Sequence, residues 1–342
     1  MSCEGCFSTQ KAIDQAPPHK KMVGDYIKML ENLRNNVNHF KVNIQAYRID
    51  KYVSTINASA IQQKYTLDNP IESSKQYIAN MQNTDGSWFE ISNMQGLSNV
   101  WATGFISSFL PEDDDCTVKA RDFLINNKQG KLWGYNTDWT YDFDSTTCAL
   151  LSLNGGHEQI SSDIKEWIKG QSPSGGFSTY SDDQYNLFSS LGLKKKDVKG
   201  WISEHTCVSA LAYYFMSRLP AKDNYQQELN SLRDYILSRR NKKGIWTPYW
   251  WTSSIYPTSF IIQGMLRDSH DHRNYIDQSM RSLISQQHDD GSFSCEVLNH
   301  KSAFYTALVL DTVCSSEELF ARYRKEAILM KEWLLSEQYS TG

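Results

Sequence analysis

Residues 136–153 read NTDWTYDFDSTTCALLSL, and within them Asp142 and Asp144 flank one Phe where a polar, aromatic turn becomes an apolar run. No Lys or Arg lies within several residues to neutralise either acid. Carboxylates at that point can simply cap the amides of a helix start. They can also do acid chemistry. If the helix start is buried among apolar side chains, desolvation raises a carboxyl pKa by up to about 3–5 units, and a neighbouring carboxylate raises it further. A helix N-terminus opposes this, favouring the anion by up to about 2 kcal/mol. Burial plus the second acid outweigh it, so the pair is a candidate proton donor whose apparent pKa belongs to both residues.

What positions the pair is a repeat. Four turns share a polar start, a Gly and an aromatic residue: QNTDGSWF (82–89), NKQGKLWG (127–134), QSPSGGFS (171–178) and QHDDGSFS (287–294), with RNKKGIWT (240–247) a looser copy. Gly provides the positive φ of a tight turn, and the aromatic can lie back over a neighbouring helix. The turn aromatics Trp88, Trp133, Phe177, Trp246 and Phe293 therefore read as structural rivets. Each turn is followed by a Thr entering an apolar helix: Thr103, Thr146, Thr206, Thr258 and Thr306, with Thr55 upstream as a sixth. A Thr hydroxyl can satisfy orphan amides of the first turn. Six amphipathic segments, roughly 70–82, 115–127, 158–171, 225–240, 274–287 and 324–338, alternate with these apolar ones. In NYIDQSMRSLISQQ, for instance, Tyr275, Ile276, Met280, Leu283 and Ile284 are spaced for one buried face.

Apolar helices alternating with amphipathic ones at a period near fifty predict two concentric rings. The expected fold is all-α, an (α/α)6 barrel of six helical hairpins forming a single domain over 49–342, with 1–48 an N-terminal tail and helical arm. The N-termini of the inner helices then open at one end. Trp101, Asp144, Glu204, Tyr256 and Phe304 stand two places before their Thr, and Ala102, Ser145, His205, Pro257 and Tyr305 one place before. That equivalence predicts Asp144 on a cavity wall among aromatics.

The whole chain narrows the setting. It has 342 residues, a formal net charge of −4 and no basic excess, which argues against nucleic acid as a partner. It carries 10 Trp, 19 Tyr and 14 Phe, more than a core requires. No run of eighteen apolar residues suggests a spanning helix, and MSCEGCFSTQKAIDQAPPHKK has no apolar core of a secretory signal. Seven scattered cysteines read as reduced thiols, so a cytoplasmic location is expected. Cys3 and Cys6 form a lone CxxC that reads as part of a frayed tail.

On these motifs the chain resembles the class II terpene cyclases of the squalene–hopene cyclase type. The turns resemble their Q-x-x-x-G-x-W repeats, WGYNTDWTYDFDSTT (133–147) the segment leading into their DxDD motif, and GIWTPYWWTSSIYPTSF (244–260) another of their repeats. The similarity covers most of 50–310. Two features depart from the pattern: Ser145 replaces the last Asp of the motif, and the chain has room for one barrel where many members have two or three helical domains. It is therefore most similar to single-domain members that act on prenylated aromatic acids. The resemblance implies Asp144 as the catalytic acid and Asp142 as its partner.

Such enzymes protonate an alkene or epoxide of a linear isoprenoid. Carbon is a poor base, so the acid must be neutral, aimed and shielded from water. The migrating cation can rest over aromatic faces, each worth about 0.5–2 kcal/mol when desolvated. Trp101, Tyr141, Trp250, Trp251, Tyr256, Phe304 and Tyr305 are the candidates, and Glu204, His205 and Ser145 could orient the acid. The expected substrate is a linear isoprenoid or a prenylated aromatic small molecule of about fifteen to twenty isoprenoid carbons, a size limit the single barrel sets. No cofactor is expected, magnesium entering only with a diphosphate substrate.

Two rivals stand beside this reading. EHTCVSAL resembles the His-bearing helix start of protein prenyltransferase β subunits, which would make Asp142, Asp144 and His205 zinc ligands; the missing thiolate weighs against it. A non-catalytic isoprenoid-binding barrel is the other. DSHDHRN (268–274) has metal-ligand residue types but falls in an inter-repeat turn, and SDDQYN (181–186) and EDDD (112–115) read as loops. The insertion STYSDDQYNLFSSLGLKKKDVKG (178–200) combines Tyr185, Leu187, Phe188, Leu191 and Leu193 with Lys194, Lys195 and Lys196. It is a candidate lid, able to meet an anionic head group or a membrane surface.

Overall fold

In the computed structural model of the protein, the described residues run from 70 to 338, apart from 91, 94–95, 154–159, 191, 221 and 297–299. The expected N-terminal arm, the Cys3–Cys6 pair and the first inner helix around Thr55 lie outside them. The described chain is helical apart from one short hairpin, β1 (Ser92–Asn93) with β2 (Gly96–Leu97). Five inner helices are described: α2 (Asn99–Ser107), α4 (Phe143–Leu153), α8 (Thr206–Arg218), α10 (Ile255–Met265) and α12 (Ala303–Cys314). Outside them stand α1 (Pro70–Met81), α3 (Asp115–Asn126), α5 (Ser161–Trp167), α9 (Gln226–Ser238), α11 (Arg273–Ile284) and α14 (Arg324–Glu337), with the short α6 (Tyr185–Ser190), α7 (Lys195–Val198) and α13 (Glu317–Arg322) between.

Burial separates the two rings. Every residue of α10 is buried, whereas α11 buries only Ile276, Ser279, Met280 and Leu283, one stripe at helical spacing. Each inner helix packs on the next, α2 on α4, α4 on α8, α8 on α10 and α10 on α12. At the seam, Gln338 beyond α14 donates to the Pro70 carbonyl (2.8 Å) and the Ser74 hydroxyl (2.6 Å) of α1, closing the outer ring.

The turns hold the rings together with one recurring set of bonds. Gln82, Gln171 and Gln287 each donate to the carbonyl of their own turn glycine and to a carbonyl at the start of the next outer helix, Cys116, Glu228 and Glu326 (2.8–3.1 Å). Gly175 has φ +92°, and a Cβ there would stand 2.1 Å from the Ser231 carbonyl oxygen, so both the turn and the close approach need glycine. The indole N–H groups of Trp88, Trp133 and Trp246 cap the ends of α1, α3 and α9 at Ile78, Leu124 and Ile236. The rivet expectation holds: all five turn aromatics are buried.

The hydroxyls on the inner helices complete the set. The backbone N–H of Trp88, Trp133, Trp246 and Phe293 donates to the hydroxyl of Thr103, Thr146, Thr258 and Thr306 respectively. In the third repeat the acceptor for Phe177 is Ser209 (2.9 Å), not Thr206. This corrects the register by three residues, because EHTCVS offers two hydroxyls and only Ser209 lies one helical turn inside α8. His205 thus takes the helix-cap place of Asp142, and Cys207, not Glu204, the place of Asp144. The backbone agrees: Thr146 N–H donates to Asp142 and Ser209 N–H to His205 (3.1 and 3.0 Å).

The insertion is a packed cap. Tyr180, Phe188, Leu193, Val198 and Trp201 form their own small core, with Trp139, Tyr249 and Trp250 beneath. Its buried apolar side chains are thus used to hold the insertion itself, and Lys195 is paired with Asp182.

Candidate active site

Asp142 caps α4. One carboxylate oxygen accepts from the Ser145 N–H and the other from the Ser145 hydroxyl, both at 2.7 Å, while its own N–H donates to Trp133 (2.9 Å). Asp144 lies two residues into the helix and accepts one hydrogen bond, from the side chain of Trp101 on α2. Asp142 is buried, whereas Asp144 keeps some accessible surface. Its carboxyl is nonetheless desolvated, so we infer that this surface faces an internal space and not bulk water.

Burial pushes Asp142 up to about 8, the Asp144 charge adding to the rise and the Ser145 bonds opposing it. Burial likewise raises Asp144 to about 6 against the Trp101 bond. Near neutral pH the pair therefore holds one proton. That proton belongs to the pair, and of the two side chains only that of Asp144 keeps accessible surface. Ser145 supplies two donors to Asp142, which favour its charged form.

Around Asp144 the aromatics form a continuous set of ring contacts. Trp101 stacks on Phe105 (5.0 Å) and lies 5.8 Å from Trp251. Trp251 stacks on Tyr256 (4.0 Å) and Phe304 (5.2 Å), and Tyr256 meets Phe260 edge-on (4.9 Å). The Tyr256 hydroxyl is fully buried with no hydrogen-bond partner among the described residues. Its ionisation is pushed up by burial first and by the Asp144 charge next, so it stays a neutral phenol. Trp101, Trp251, Tyr256 and Phe304 thus form one ring cluster, joined to Asp144 through Trp101. Phe105, Phe260 and Cys207 join them unforeseen. The signal for the first two was helical spacing, one turn beyond Trp101 and Tyr256; for Cys207 it was the correct register.

Other expected site residues go elsewhere. Glu204 turns outward: it accepts from Ser174 (3.0 Å), and against the upward push of burial its bonds to Ser172 and Ser174 and the Arg239 charge hold its pKa down. It does not orient the acid pair. His205 stacks on Tyr249 (3.9 Å) and one ring nitrogen bonds the Gly200 carbonyl, while Nε2 has no partner; burial lowers its pKa to about 4, so it is neutral. It makes no hydrogen bond to Asp142 or Asp144. Trp250 donates to Thr179 (2.6 Å) under the insertion. Tyr141 meets Phe143, whose ring covers Gly170 on the outer side of α4. Tyr305 is buried, its hydroxyl 2.9 Å from that of Thr252.

Among the described residues, the one trio with ligand atoms close enough to share an ion is Asp268, His270 and His272, not Asp142, Asp144 and His205. Asp268 there already accepts from Tyr213 (2.6 Å), and Arg233 lies 3.6 Å from it and 2.7 Å from His270. A guanidinium thus sits among those ligand atoms, so the trio reads as an ion-pair network tying the end of α10 to α8 and α9.

The family model of the squalene–hopene cyclase C-terminal domain matches residues 110–309, a span that contains the acid pair and four of the five inner-helix starts. The chain belongs to this family. Its cyclase relatives include the squalene–hopene cyclase of Bradyrhizobium diazoefficiens, 20% identical over 224 residues; the match spans 57% of this chain and 32% of that protein. Among solved structures it is similar to the type II terpene cyclase MstE from Scytonema, with a TM-score of 0.68 and 21% identity over 81% of each chain. A variant of MstE in complex with geranylgeranyl dihydroxybenzoate, its substrate, is similar at 0.67 and 20%, covering 81% of this chain and 80% of that one. The ent-copalyl diphosphate synthase of Streptomyces platensis gives 0.53 at 16% identity, over 71% of this chain and 44% of that one. At these identities the structural likeness establishes the helical fold. No helix among the described residues is long and apolar enough to cross a membrane.

Proposed function

We propose that the protein is a class II, protonation-initiated cyclase of a linear isoprenoid or prenylated aromatic substrate. One observation carries this reading: two desolvated acids with no ion-pair partner among the described residues, one of them held by Trp101, which belongs to a ring cluster with Trp251, Tyr256 and Phe304. Asp144 delivers the proton to a terminal alkene or epoxide and Asp142 replenishes it. The rings hold the cation by cation–π attraction, about 0.5–2 kcal/mol per face, and keep out water that would end the reaction early. The reaction rearranges bonds within one substrate, an isomerase-type outcome, and needs no cofactor for the protonation. The geranylgeranyl dihydroxybenzoate that MstE takes as substrate supports a prenylated dihydroxybenzoate as the first compound to try.

Asp144→Asn keeps the volume and removes the transferable proton. With geranylgeranyl dihydroxybenzoate, cyclised product measured by mass spectrometry should fall by about 10³-fold or more while the melting temperature does not fall. An active Asp144→Asn protein would end this assignment.

A further inference from the structure

The outer ring of helices is not uniform. Among the described residues ten large apolar side chains are exposed, and six of them stand on three helices: Ile71 and Tyr77 on α1, Val118 and Ile125 on α3, Ile328 and Leu335 on α14. Phe320 on the adjoining α13 makes a seventh. By contrast α5 and α9 expose none, and α11 only Tyr275, which lies under the Arg240 guanidinium (5.1 Å). The three apolar helices are neighbours. Gln338 joins the end of α14 to α1, and Gln82, just past α1, bonds the Cys116 carbonyl of α3. A surface seldom leaves apolar side chains gathered on one wall unless something covers it.

The two sides of this wall carry opposite charge. On the α3 side Glu112, Asp113, Asp115 and Asp122 are exposed and enter no ion pair among the described residues. On the α14 side a hollow of about 480 Å³ is lined by Ala321, Arg322, Arg324, Lys325, Ile328 and Leu329. Arg322 is already held by Asp277 and Glu318, but Arg324, Lys325 and, further along, Lys331 are exposed and enter no ion pair among the described residues. Arg324 and Lys325 stand in the first turn of α14, where the helix dipole disfavours cations, so local helix chemistry does not account for them. The two helices repeat one arrangement with the sign reversed. Asp114 and Asp115 precede Val118 and Ile125, and Arg324 and Lys325 precede Ile328 and Leu335, at identical spacing.

We propose that this wall pairs two copies of the chain about a two-fold axis lying against α1, so that the acidic start of α3 in one copy meets the basic hollow at the start of α14 in the other. Such an interface uses the same surface on both copies, so each charged contact forms twice and the apolar side chains are covered between them. Charge selects this occupant. Residues 1–69 carry nine Lys and Arg against six Asp and Glu, so that basic stretch of the same chain would leave Arg324 and Lys325 unmet. An anionic lipid surface would attract those two and be repelled by the α3 side. A second copy presents both signs, each opposite its complement. The inference stands apart from the cyclase reading.

Sedimentation velocity of the full chain over a micromolar concentration series tests this. The wild-type protein should sediment at twice its 39.4 kDa chain mass. Ile328→Asp, at an exposed site in the middle of the apolar side chains, should weaken pairing by about tenfold or more. Asp115→Lys and Lys325→Asp should each weaken it several-fold. Combined in one chain, those two reversals restore opposite signs across the axis and should recover most of the affinity, which a mere folding defect would not do. Melting curves of each variant check the fold. A dimer that Ile328→Asp leaves undiminished, or a doubly reversed protein no better than either single reversal, would overturn the proposal. A wild-type monomer that melts lower with Ile328→Asp would assign the wall to the rest of its own chain. A wild-type monomer that sediments with vesicles of phosphatidylserine and phosphatidylcholine would assign it to a lipid surface. Either of these, or a monomer with neither property, overturns the proposal as well.

Discussion

The second and third repeats, 133–153 and 177–218, are built on the same bonds and carry different chemistry. In each, a buried turn aromatic donates its N–H to a hydroxyl one turn inside the helix, Thr146 in one and Ser209 in the other. In each, the helix-cap residue donates to the carbonyl of that aromatic, Asp142 to Trp133 and His205 to Phe177, both at 2.9 Å. The cap position holds an acid pushed up to about 8 in one repeat and an imidazole pushed down to about 4 in the other, and burial is the first cause of both shifts. Two places further on stand Asp144 and Cys207. The same desolvation that makes an acid reluctant to ionise keeps a histidine neutral. The scaffold supplies a dry helix start; which side chain stands there decides whether it can donate a proton.

The largest effect should come from making the two repeats alike. Asp144→Cys gives the second repeat the residue of the third, a thiol that burial keeps neutral but that is a far weaker acid. Product formation should fall by about 10³-fold or more. Retained activity would show that position to be interchangeable and break the comparison.

Asp142→Asn should have a smaller and pH-dependent effect. The donor must be protonated, so activity is present at low pH and lost as pH rises. With Asp142 in place the pair keeps its last proton up to about 8; without it, Asp144 titrates alone at about 6. The alkaline limb of the rate profile should therefore move down by about two pH units. An unmoved limb would mean that Asp142 does not store the proton.

The buried acids also cost stability. A carboxyl whose folded pKa is raised binds more protons folded than unfolded, so stability declines as pH rises above the unfolded value near 4. Asp144→Asn should thus melt higher than the parent at pH 8, with the difference vanishing by pH 4. A variant that melts lower at pH 8 would contradict the desolvated carboxyl.

The smallest effect tests the register. Ser209→Ala leaves the buried Phe177 N–H without an acceptor and should destabilise by about 1–3 kcal/mol. Thr206, which donates to the Thr247 carbonyl in an exposed position, should lose less when changed to Ala. The reverse order in urea melts would restore Thr206 to the repeat.

Much of this molecule follows from local chemistry. A Gly between a polar start and an aromatic makes a turn wherever it occurs, and apolar runs alternating with one-faced helices leave two concentric rings as the way to bury both. The acid pair was legible for the same reason: Asp142 and Asp144 stand at a helix start with no cation near in sequence, and neither has an ion-pair partner among the described residues. Tertiary packing decided the rest. Thr206 and Ser209 are both hydroxyls near the start of one apolar helix, and only the depth of the preceding turn selects Ser209. Glu204 lies beside a buried histidine in sequence, yet its carboxylate finds Ser174 because charge is cheaper at the rim than inside. Trp250 and Trp251 are neighbours in a stretch with no helical period to assign them sides. One donates to Thr179 beneath the insertion and the other stacks on Tyr256, because each ring is placed by what is packed against it, and those partners come from chain segments far away in sequence.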